Sequence, residues 1–339
     1  MINLKKSMVL AAFIILLILI SGCKGKKDVK KSLEEIRTGT EGIALSFLPN
    51  APPDKIHVEQ GASTESNTFD VVVELRNKGA YPQPEDDDFS RGFGNVYISG
   101  YDPDIITITP KDSNREISGK TLEGKSTINP NGGFDTITFN GVVDTTKLNV
   151  EKYEPTLLAT ACYKYETVAG PSVCIDPNPY STVKEKKVCE VQDITLSNQG
   201  APIAVTRIDE EALFSRTQFK ITIKNAGNGD VLKQEALNKC DAGSSSDKIT
   251  REDVDRVKLE WVKISDKPLN CRPFVEGDTS GLIRLINGEG FIICDYDKSQ
   301  YQTSRTAFTT PISIRLSYGY RNTAEKKIQI NKEVRGTPK

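Results

Sequence analysis

The sequence is poor in the residues from which most catalytic and metal sites are built. It has a single histidine, His57, among 339 residues. Because imidazole is the usual general base of serine and cysteine hydrolases, this scarcity excludes most such arrangements. Zinc sites made of cysteine and histidine are disfavoured as well, since no two cysteines have Cys-x-x-Cys spacing. His57 follows Pro52-Pro53-Asp54, where we expect a surface loop.

Sequence motifs of nucleotide binding, hydrolysis and metal binding are also absent, as is the charge of a nucleic-acid-binding protein. The sequence contains no GxGxxG, P-loop, HExxH, GxSxG or EF-hand pattern. Lysine and arginine total 45, aspartate and glutamate total 46, and the formal net charge is −1 at pH 7. Without a basic excess we expect no nucleic-acid partner. We predict neither an enzymatic activity nor a catalytic cofactor.

The first 23 residues have the pattern of an export signal. Two lysines precede an apolar run at 8–20, which ends in the letters ISGC. A basic start, a short apolar middle and small residues before a cleavage site are typical of secretory signals. The ending resembles a lipobox, which implies cleavage between Gly22 and Cys23 and lipid on the Cys23 sulfur. We therefore predict a signal peptide at 1–22 and a lipidated stem at 23–40.

An uncleaved anchor that spans the membrane once is the alternative. The apolar run has about 13 residues, which rise about 20 Å as a helix. The hydrocarbon core is about 30 Å thick, so the run is short for a membrane span. Both interpretations place the body outside the cytoplasm and hold it at the cell-surface membrane.

Beyond Gly42, apolar and polar residues alternate in short runs rich in valine, isoleucine, threonine and aromatics. Glycine, proline, asparagine and aspartate separate these runs. This pattern predicts many strands and few helices, and therefore an all-β fold. Trp261 is in register with Val257 and Leu259, and we expect it to face the core.

The body has the pattern of one unit written twice, with a period of about 150 residues. Four pairs of matching segments recur in the same order: 43–46 with 194–197, 69–79 with 219–227, 131–134 with 287–291, and 162–165 with 317–320. We predict one domain at 41–188 and a second at 189–339.

Each repeat has a strand ending in Asn-x-Gly, a later glycine-rich turn and a final hairpin bearing two tyrosines. These features resemble the CARDB-like and broader immunoglobulin-like modules of exported proteins. The resemblance implies two tandem antiparallel β-sandwich domains of about seven strands each. Such modules act as spacers, adhesion units or partner-binding domains, and the family supplies no catalytic residues.

The parity of the final hairpin predicts which side chains are buried. Successive side chains on a strand point to opposite faces. Tyr163, Tyr165, Tyr318 and Tyr320 share faces with the aliphatic residues around them, so we expect all four in the core.

Six cysteines follow Cys23, and an even number in an exported chain predicts disulfides with 15 possible connectivities. Parity places Cys162 and Cys174 on the outer face of adjacent hairpin strands, which predicts a bond between them. We favour Cys271 with Cys294, which leaves Cys189 with Cys240.

The densest group of carboxylates is the run Glu85-Asp86-Asp87-Asp88. Hard oxygen ligands of this kind suit Ca²⁺, so the run is a candidate calcium site. The alternative is an acidic loop that is simply solvated.

The sequence therefore predicts a lipid-anchored surface protein with a structural, adhesion or partner-binding role. Its expected partners are the membrane, through the lipid, and another surface or envelope protein. The alternative function is that of a ligand-binding lipoprotein serving a transporter. That class is normally built of alternating strands and helices around a hinge, which this pattern disfavours.

Overall fold

Alternating apolar and polar residues form strands over most of the described chain. The computed structural model describes residues 36–61, 66–109, 116–181, 187–241, 248–272, 281–301, 304 and 306–333. Strands account for 55% of the structure and helices are few, which confirms the all-β prediction. No helix in these ranges is long and apolar enough to cross a membrane. The predicted signal, Cys23 and the stem up to residue 35 lie outside the described residues.

In the described residues of the first half there are ten strands, and a short helix precedes the fourth. The helix α1 spans Asp87–Ser90. The strands are β1 (Ile43–Phe47), β2 (Lys55–Glu59), β3 (Thr68–Asn77), β4 (Gly92–Ser99), β5 (Ile106–Thr109), β6 (Glu116–Ser118), β7 (Phe134–Val143), β8 (Lys152–Tyr153), β9 (Thr156–Ala169) and β10 (Ser172–Ile175).

Eleven strands belong to the second half, with 3₁₀ helices at Gln234–Cys240 and Lys298–Gln300. The strands are β11 (Ile194–Thr195), β12 (Ile203–Ala212), β13 (Arg216–Asn225), β14 (Asp230–Leu232), β15 (Arg256–Ile264), β16 (Lys267–Pro268), β17 (Asn270–Arg272), β18 (Leu282–Arg284), β19 (Glu289–Asp297), β20 (Phe308–Lys327) and β21 (Gln329–Glu333).

The strands of the described residues form four sheets, two of which contain strands from both halves. The first half forms the sheet β1-β3-β7-β5, and the second half forms β11-β12-β13-β19-β17. A nine-stranded sheet follows the order β16-β15-β20-β9-β4-β6, with β10 and β14 also paired to β20 and β18 paired to β15. Strands β2, β21 and β8 form a smaller sheet. The main hydrophobic core draws buried side chains from all four sheets, and a smaller cluster surrounds Cys162.

The two halves join where β9 pairs antiparallel with β20. Residues 156–169 run beside residues 314–327, with Lys164 opposite Gly319. Because Lys164 and Gly319 are matching residues of the two repeats, the pairing has approximate two-fold symmetry. The predicted ranges 41–188 and 189–339 therefore share a sheet, and their division into two domains stays a prediction.

Four tyrosines fill the centre of this pairing. Tyr163 and Tyr165 are fully buried, and Tyr318 and Tyr320 are each 1% exposed, as parity predicted. Their ring centroids lie 5.8 Å apart within β9, 6.3 Å apart within β20, and 6.1 and 6.4 Å apart across the pairing. Distances and tilted planes of this kind are favourable for aromatic packing.

The tyrosine hydroxyls of β9 form hydrogen bonds at the start of β1 and at the end of β3. Tyr165 donates a hydrogen bond to Asn77 Oδ1 at 3.0 Å, and Asn77 Nδ2 donates to the carbonyl of Tyr81 at 2.7 Å. The Tyr163 hydroxyl accepts the backbone N–H of Ile43 at 3.0 Å. The Asn-x-Gly turn and the tyrosine pair of one repeat are therefore parts of a single hydrogen-bonded unit.

The same unit recurs in the second half. Tyr320 donates to Asn225 Oδ1 at 3.1 Å, and Asn225 Nδ2 donates to the carbonyl of Gly229 at 2.9 Å. The Tyr318 hydroxyl accepts the backbone N–H of Ile203 at 3.3 Å. Burial raises the pKa of Tyr320 to about 12, so its hydroxyl remains a donor.

These bonds correct one of the sequence matches. Ile43 pairs with Asn77 between β1 and β3, and Ile203 pairs with Asn225 between β12 and β13. The counterpart of Ile43 is therefore Ile203, and the predicted match to Ile194 is wrong. Strand β11, which contains Ile194, is an additional strand outside β12.

The predicted final hairpins are also wrong. Strand β10 does not fold back on β9 but continues beside β20, because Ala169 pairs with Ile314 and Ser172 pairs with Pro311. The Gly-Pro step between them interrupts the ladder without reversing the chain, since proline lacks the N–H of a regular strand. Strand β21 likewise pairs with β2 and β8 rather than with β20.

Because β9 and β10 lie along one line, the disulfide pattern differs from the predicted one. The bonds are Cys162–Cys240, Cys174–Cys189 and Cys271–Cys294. The third pair agrees with the prediction, whereas Cys162–Cys174 and Cys189–Cys240 are wrong. Two residues twelve positions apart along one extended line are separated by roughly 40 Å, so Cys162 and Cys174 cannot meet.

The Cys162 side chain does point away from the four tyrosines, but it is not exposed to solvent. It is 1% exposed and packs with Tyr97, Leu232 and Cys240. The 3₁₀ helix Gln234–Cys240 covers this face of β9, and the disulfide holds it there. Parity gave the correct side of the strand, whereas the covering segment comes from the other half of the chain.

Trp261 is half-buried rather than part of the core, contrary to the prediction. Strand β15 has a bulge between Leu259 and Trp261, which shifts its register against β20. A bulge adds one residue and reverses the parity of all that follow. Val262 and Ile264 are buried instead, and Lys263 Nζ lies 4.7 Å from the centre of the indole ring.

We expect Tyr165→Phe to lower the free energy of unfolding by about 1–3 kcal/mol, because it removes a buried hydroxyl and leaves its partners unsatisfied. Urea unfolding followed by tyrosine fluorescence measures this change. The matched control is Tyr153→Phe, whose hydroxyl accepts the Asp102 N–H at an exposed site. The control should change stability by less than about 0.5 kcal/mol. Equal effects of the two variants would contradict a structural role for the Tyr165 hydroxyl.

Candidate functional site

A cleft of about 620 Å³ opens beside the pairing of β9 with β20. Three parts of the chain line it: the loop after β3, the end of β9 with its Gly-Pro step, and residues 194–199, which begin with β11. Arg37 and Arg315 complete the lining. A volume of this size is typical of sites that bind ligands or short peptide segments.

Arg315 is the central charge of the cleft. It projects from β20 and binds the Glu166 carboxylate, with Nη2 2.5 Å from Oε2. The same nitrogen lies 3.3 Å from Asp86 Oδ1. Burial raises the pKa of Glu166, and the Arg315 guanidinium lowers it only in part. Arg315 therefore bridges a carboxylate of the shared sheet to the acidic run of the first half.

A second polar network adjoins the first. The Tyr81 hydroxyl donates to Asp88 Oδ2 at 2.6 Å, and Lys164 Nζ lies 3.5 Å from Asp88 Oδ1. Burial and the bond to Asp88 both raise the pKa of Tyr81, so its phenol stays protonated. Tyr81 also packs edge-on against Tyr165, with ring centres 5.6 Å apart. Tyr81 therefore connects the charged residues of the cleft directly to the buried tyrosines.

The carboxylates of the acidic run, the candidate calcium site, do not converge on one point. Among the described residues, no group of three or more histidine, cysteine, aspartate or glutamate side chains is placed to hold a metal ion. The carboxylates of the run bind different protein donors instead. Asp86 accepts the N–H of Gln83 at 2.8 Å and meets Arg315, whereas Asp88 meets Tyr81 and Lys164. Glu85 and Asp87 are exposed.

Apolar groups line the cleft beside these charges. Val168 pairs with Arg315 across the sheet and is 53% exposed. Ile194 and Leu196 of the second half are half-buried. Gly170 faces open space, because a Cβ atom there would meet nothing within 4 Å. The cleft therefore offers both charged and apolar groups to any occupant.

Arg37 lines the cleft close to where the described chain begins. Its side chain is half-buried, and its Nε is buried without a hydrogen-bond partner in the described ranges. Gly200 allows this close approach, since a Cβ there would lie 3.0 Å from the Arg37 carbonyl carbon. Buried donors normally have partners, so the unpaired Arg37 Nε is an exception in the described residues.

A buried carboxyl lies elsewhere, beside a disulfide. Glu210 on β12 is 7% exposed, and its Oε2 accepts the backbone N–H of Cys174 at 3.2 Å. Its Oε1 has no partner in the described part of the chain. Burial raises the pKa of Glu210 to about 7, and the single bond from Cys174 offsets this only in part.

His57 takes no part in the cleft. It lies on β2 rather than in the predicted loop, and its Nδ1 is 2.8 Å from Glu333 Oε1 at an exposed position.

Sequence reasoning missed the main charged residues of the site. The acidic run was found by its density, but Arg315 and Glu166 are isolated charges within strands. They are 149 residues apart and meet only because β9 pairs with β20. Alternation along each strand could have marked both as facing away from the tyrosines, and no local signal pairs them.

Comparisons with known proteins assign no family. No protein-family model matches the chain, and no curated protein matches it. The C-terminal domain of AspA, an antigen I/II-family protein of Streptococcus pyogenes, is 10% identical with a TM-score of 0.18, over 86% of this chain and 100% of that chain. The collagen-binding domain of the Erysipelothrix rhusiopathiae surface protein RspB is 10% identical with a TM-score of 0.12, over 86% and 97%. Similarity this weak assigns no function.

Fold and cross-links define the class of the protein. It is an all-β protein with three disulfides. Such bonds form and persist in oxidising compartments, so they indicate an extracytoplasmic location.

We expect Glu210 to make the protein less stable as pH rises. The folded state raises the pKa from 4.5 to about 7, so the stability that this group contributes is present below pH 4.5 and is lost as pH rises through 7. The full loss is about 3 kcal/mol. Glu210→Gln should remove this slope, which thermal unfolding between pH 4.5 and pH 8 measures.

The control is Glu211→Gln, because Glu211 is the neighbouring residue and is exposed. It should retain the pH dependence of the unaltered protein. A Glu210→Gln variant that follows the same pH curve as Glu211→Gln would contradict the burial argument.

Proposed function

We propose that the protein is a lipid-anchored, extracytoplasmic β-sandwich protein that binds a partner through the cleft and catalyses no reaction. Three disulfides support export. The order of basic, apolar and small residues in 1–23 supports anchoring through lipid on Cys23. The partner that we propose is another surface or envelope protein.

We also propose that the body consists of two tandem immunoglobulin-like sandwiches, fused through β9 and β20. The outer sheets have matching orders, β1-β3-β7-β5 and β12-β13-β19-β17. Each half adds a matching arm to the shared sheet, β9-β4-β6 in one and β20-β15-β18 in the other. Corresponding orders in both halves support a duplicated module of the CARDB-like or immunoglobulin-like kind.

The ion pairs of Arg315 carry the proposal of binding without catalysis. A general acid or base must present its oxygen or nitrogen to the substrate. Glu166 and Asp86 instead face Arg315 at 2.5 and 3.3 Å, and Asp88 faces Tyr81 at 2.6 Å. Groups already engaged with each other hold the cleft in one shape. An exposed apolar side chain, Val168, then offers contact area to a partner.

Two alternatives differ from this proposal in defined ways. A ligand-binding lipoprotein serving a transporter normally closes around a hinge between strand-and-helix lobes. A strand content of 55% and a sheet shared by both halves disfavour such closure. An uncleaved single-span anchor differs only in how the chain is held at the membrane.

We expect Cys23→Ser to release the protein from the membrane. Without the sulfur no lipid is attached, and the apolar run is short for a span. Detergent phase partitioning of cell lysates should move the protein from the detergent phase to the aqueous phase. Ser21→Ala, which keeps a small residue before the cleavage site, should leave it in the detergent phase. Retention of the Cys23→Ser protein would favour the uncleaved anchor.

A photo-crosslinking amino acid in place of Val168 should capture the partner in intact cells. The matched control is Val150, which is 51% exposed, compared with 53% for Val168, and lies outside the cleft. We expect a discrete adduct from position 168 that position 150 does not form. Identical adducts from both positions, or none from position 168, would contradict binding through the cleft.

A further inference from the structure

Strand β11 presents a free edge to the cleft. Within the described chain it is the outermost strand of its sheet. The N–H of Leu196 donates to the carbonyl of Thr206 at 3.0 Å, so Leu196 faces β12. Because antiparallel residues alternate between bonded and non-bonded positions, Thr195 points its N–H and C=O away from β12. Thr195 lines the cleft, so its outward N–H and C=O are available to pair with the main chain of an added strand.

The cleft provides for the side chains of such a strand. Val168 and Leu196 give apolar contacts, and the space beside Gly170 is open. Side chains of an extended segment alternate between faces, so every second residue can meet Val168.

A charged recess beside the cleft favours a second kind of side chain in the bound segment. A recess of about 380 Å³ adjoins the cleft and shares Tyr81, Glu85, Asp86, Glu166 and Arg315 with it. Five carboxylates line the recess against three cations, Arg91, Lys164 and Arg315, which leaves two negative charges in excess. Glu85 and Asp87 are exposed at its edge. A basic side chain is the complement of this surface.

We propose that the cleft binds one extended polypeptide segment, which adds to the Thr195 edge of β11, packs aliphatic side chains on Val168 and Leu196, and places basic side chains at the recess. This inference rests on the proposed function and specifies the chemistry of the partner: aliphatic and basic residues in an exposed, extended segment. Main-chain bonds to Thr195 supply affinity, and the aliphatic and basic side chains supply selectivity.

The test uses the purified full-length protein and two fluorescein-labelled hexapeptides, one alternating valine with lysine and one alternating valine with glutamate. Fluorescence anisotropy at low salt measures binding. We expect the lysine peptide to bind at least about tenfold more tightly than the glutamate peptide. Glu85→Gln with Asp87→Asn should reduce that preference, because it removes the two exposed carboxylates. Equal binding of both peptides, or no binding of either at about 1 mM, would overturn the proposal.

A second pair of measurements tests strand addition itself. Thr195→Pro removes the outward N–H and should weaken the lysine peptide at least about tenfold, while thermal unfolding checks that the variant folds. N-methylation of alternate peptide residues should have the same effect on the unaltered protein, which makes the test independent of folding. Unchanged binding in either case would exclude a main-chain role. If the photo-crosslinking residue at position 168 still captures a partner in cells, only the strand-addition inference fails and the proposed function stands.

Discussion

The pairing of β9 with β20 around four buried tyrosines is the constraint on which the structure depends. Each hydroxyl is removed from water and therefore needs a partner, because an unsatisfied buried group costs about 1–3 kcal/mol. Those partners lie at the ends of strands in the two outer sheets. They are Asn77, Asn225 and the amides of Ile43 and Ile203. Satisfying the hydroxyls thus fixes the position of both outer sheets relative to the shared sheet.

The same pairing creates the cleft. Strands β9 and β10 form one line beside β20, and Val168 and the Gly-Pro step at their junction line the cleft. Arg315 then lies across from Val168 and gathers Glu166 and Asp86. The core and the candidate site are therefore two consequences of one strand pairing. A change in register would disturb both.

Approximate symmetry in the centre gives way to asymmetry at the surface. Cys162 on β9 is covered by the 3₁₀ helix that its disulfide holds, whereas its counterpart Ser317 donates instead to Glu260 at 2.5 Å. Strand β11 lies outside β12, while β1 is the outermost strand of the other outer sheet. Strand β11 lines the cleft, so the cleft lies where the two outer sheets differ.

The sequence alone determined which way side chains point along regular strands, because alternation is a local property of extended chain. It placed the four tyrosines in the core, paired the Asn-x-Gly strands of the two repeats and located the acidic run. Tertiary structure decided how strands pair: β10 continues β9, a bulge turns Trp261 outward, and Cys162 bonds to Cys240. Pairing depends on contacts between residues far apart in the chain, so no local pattern encodes that Arg315 meets Glu166. Side-chain direction is local, whereas the choice of neighbouring strand is not.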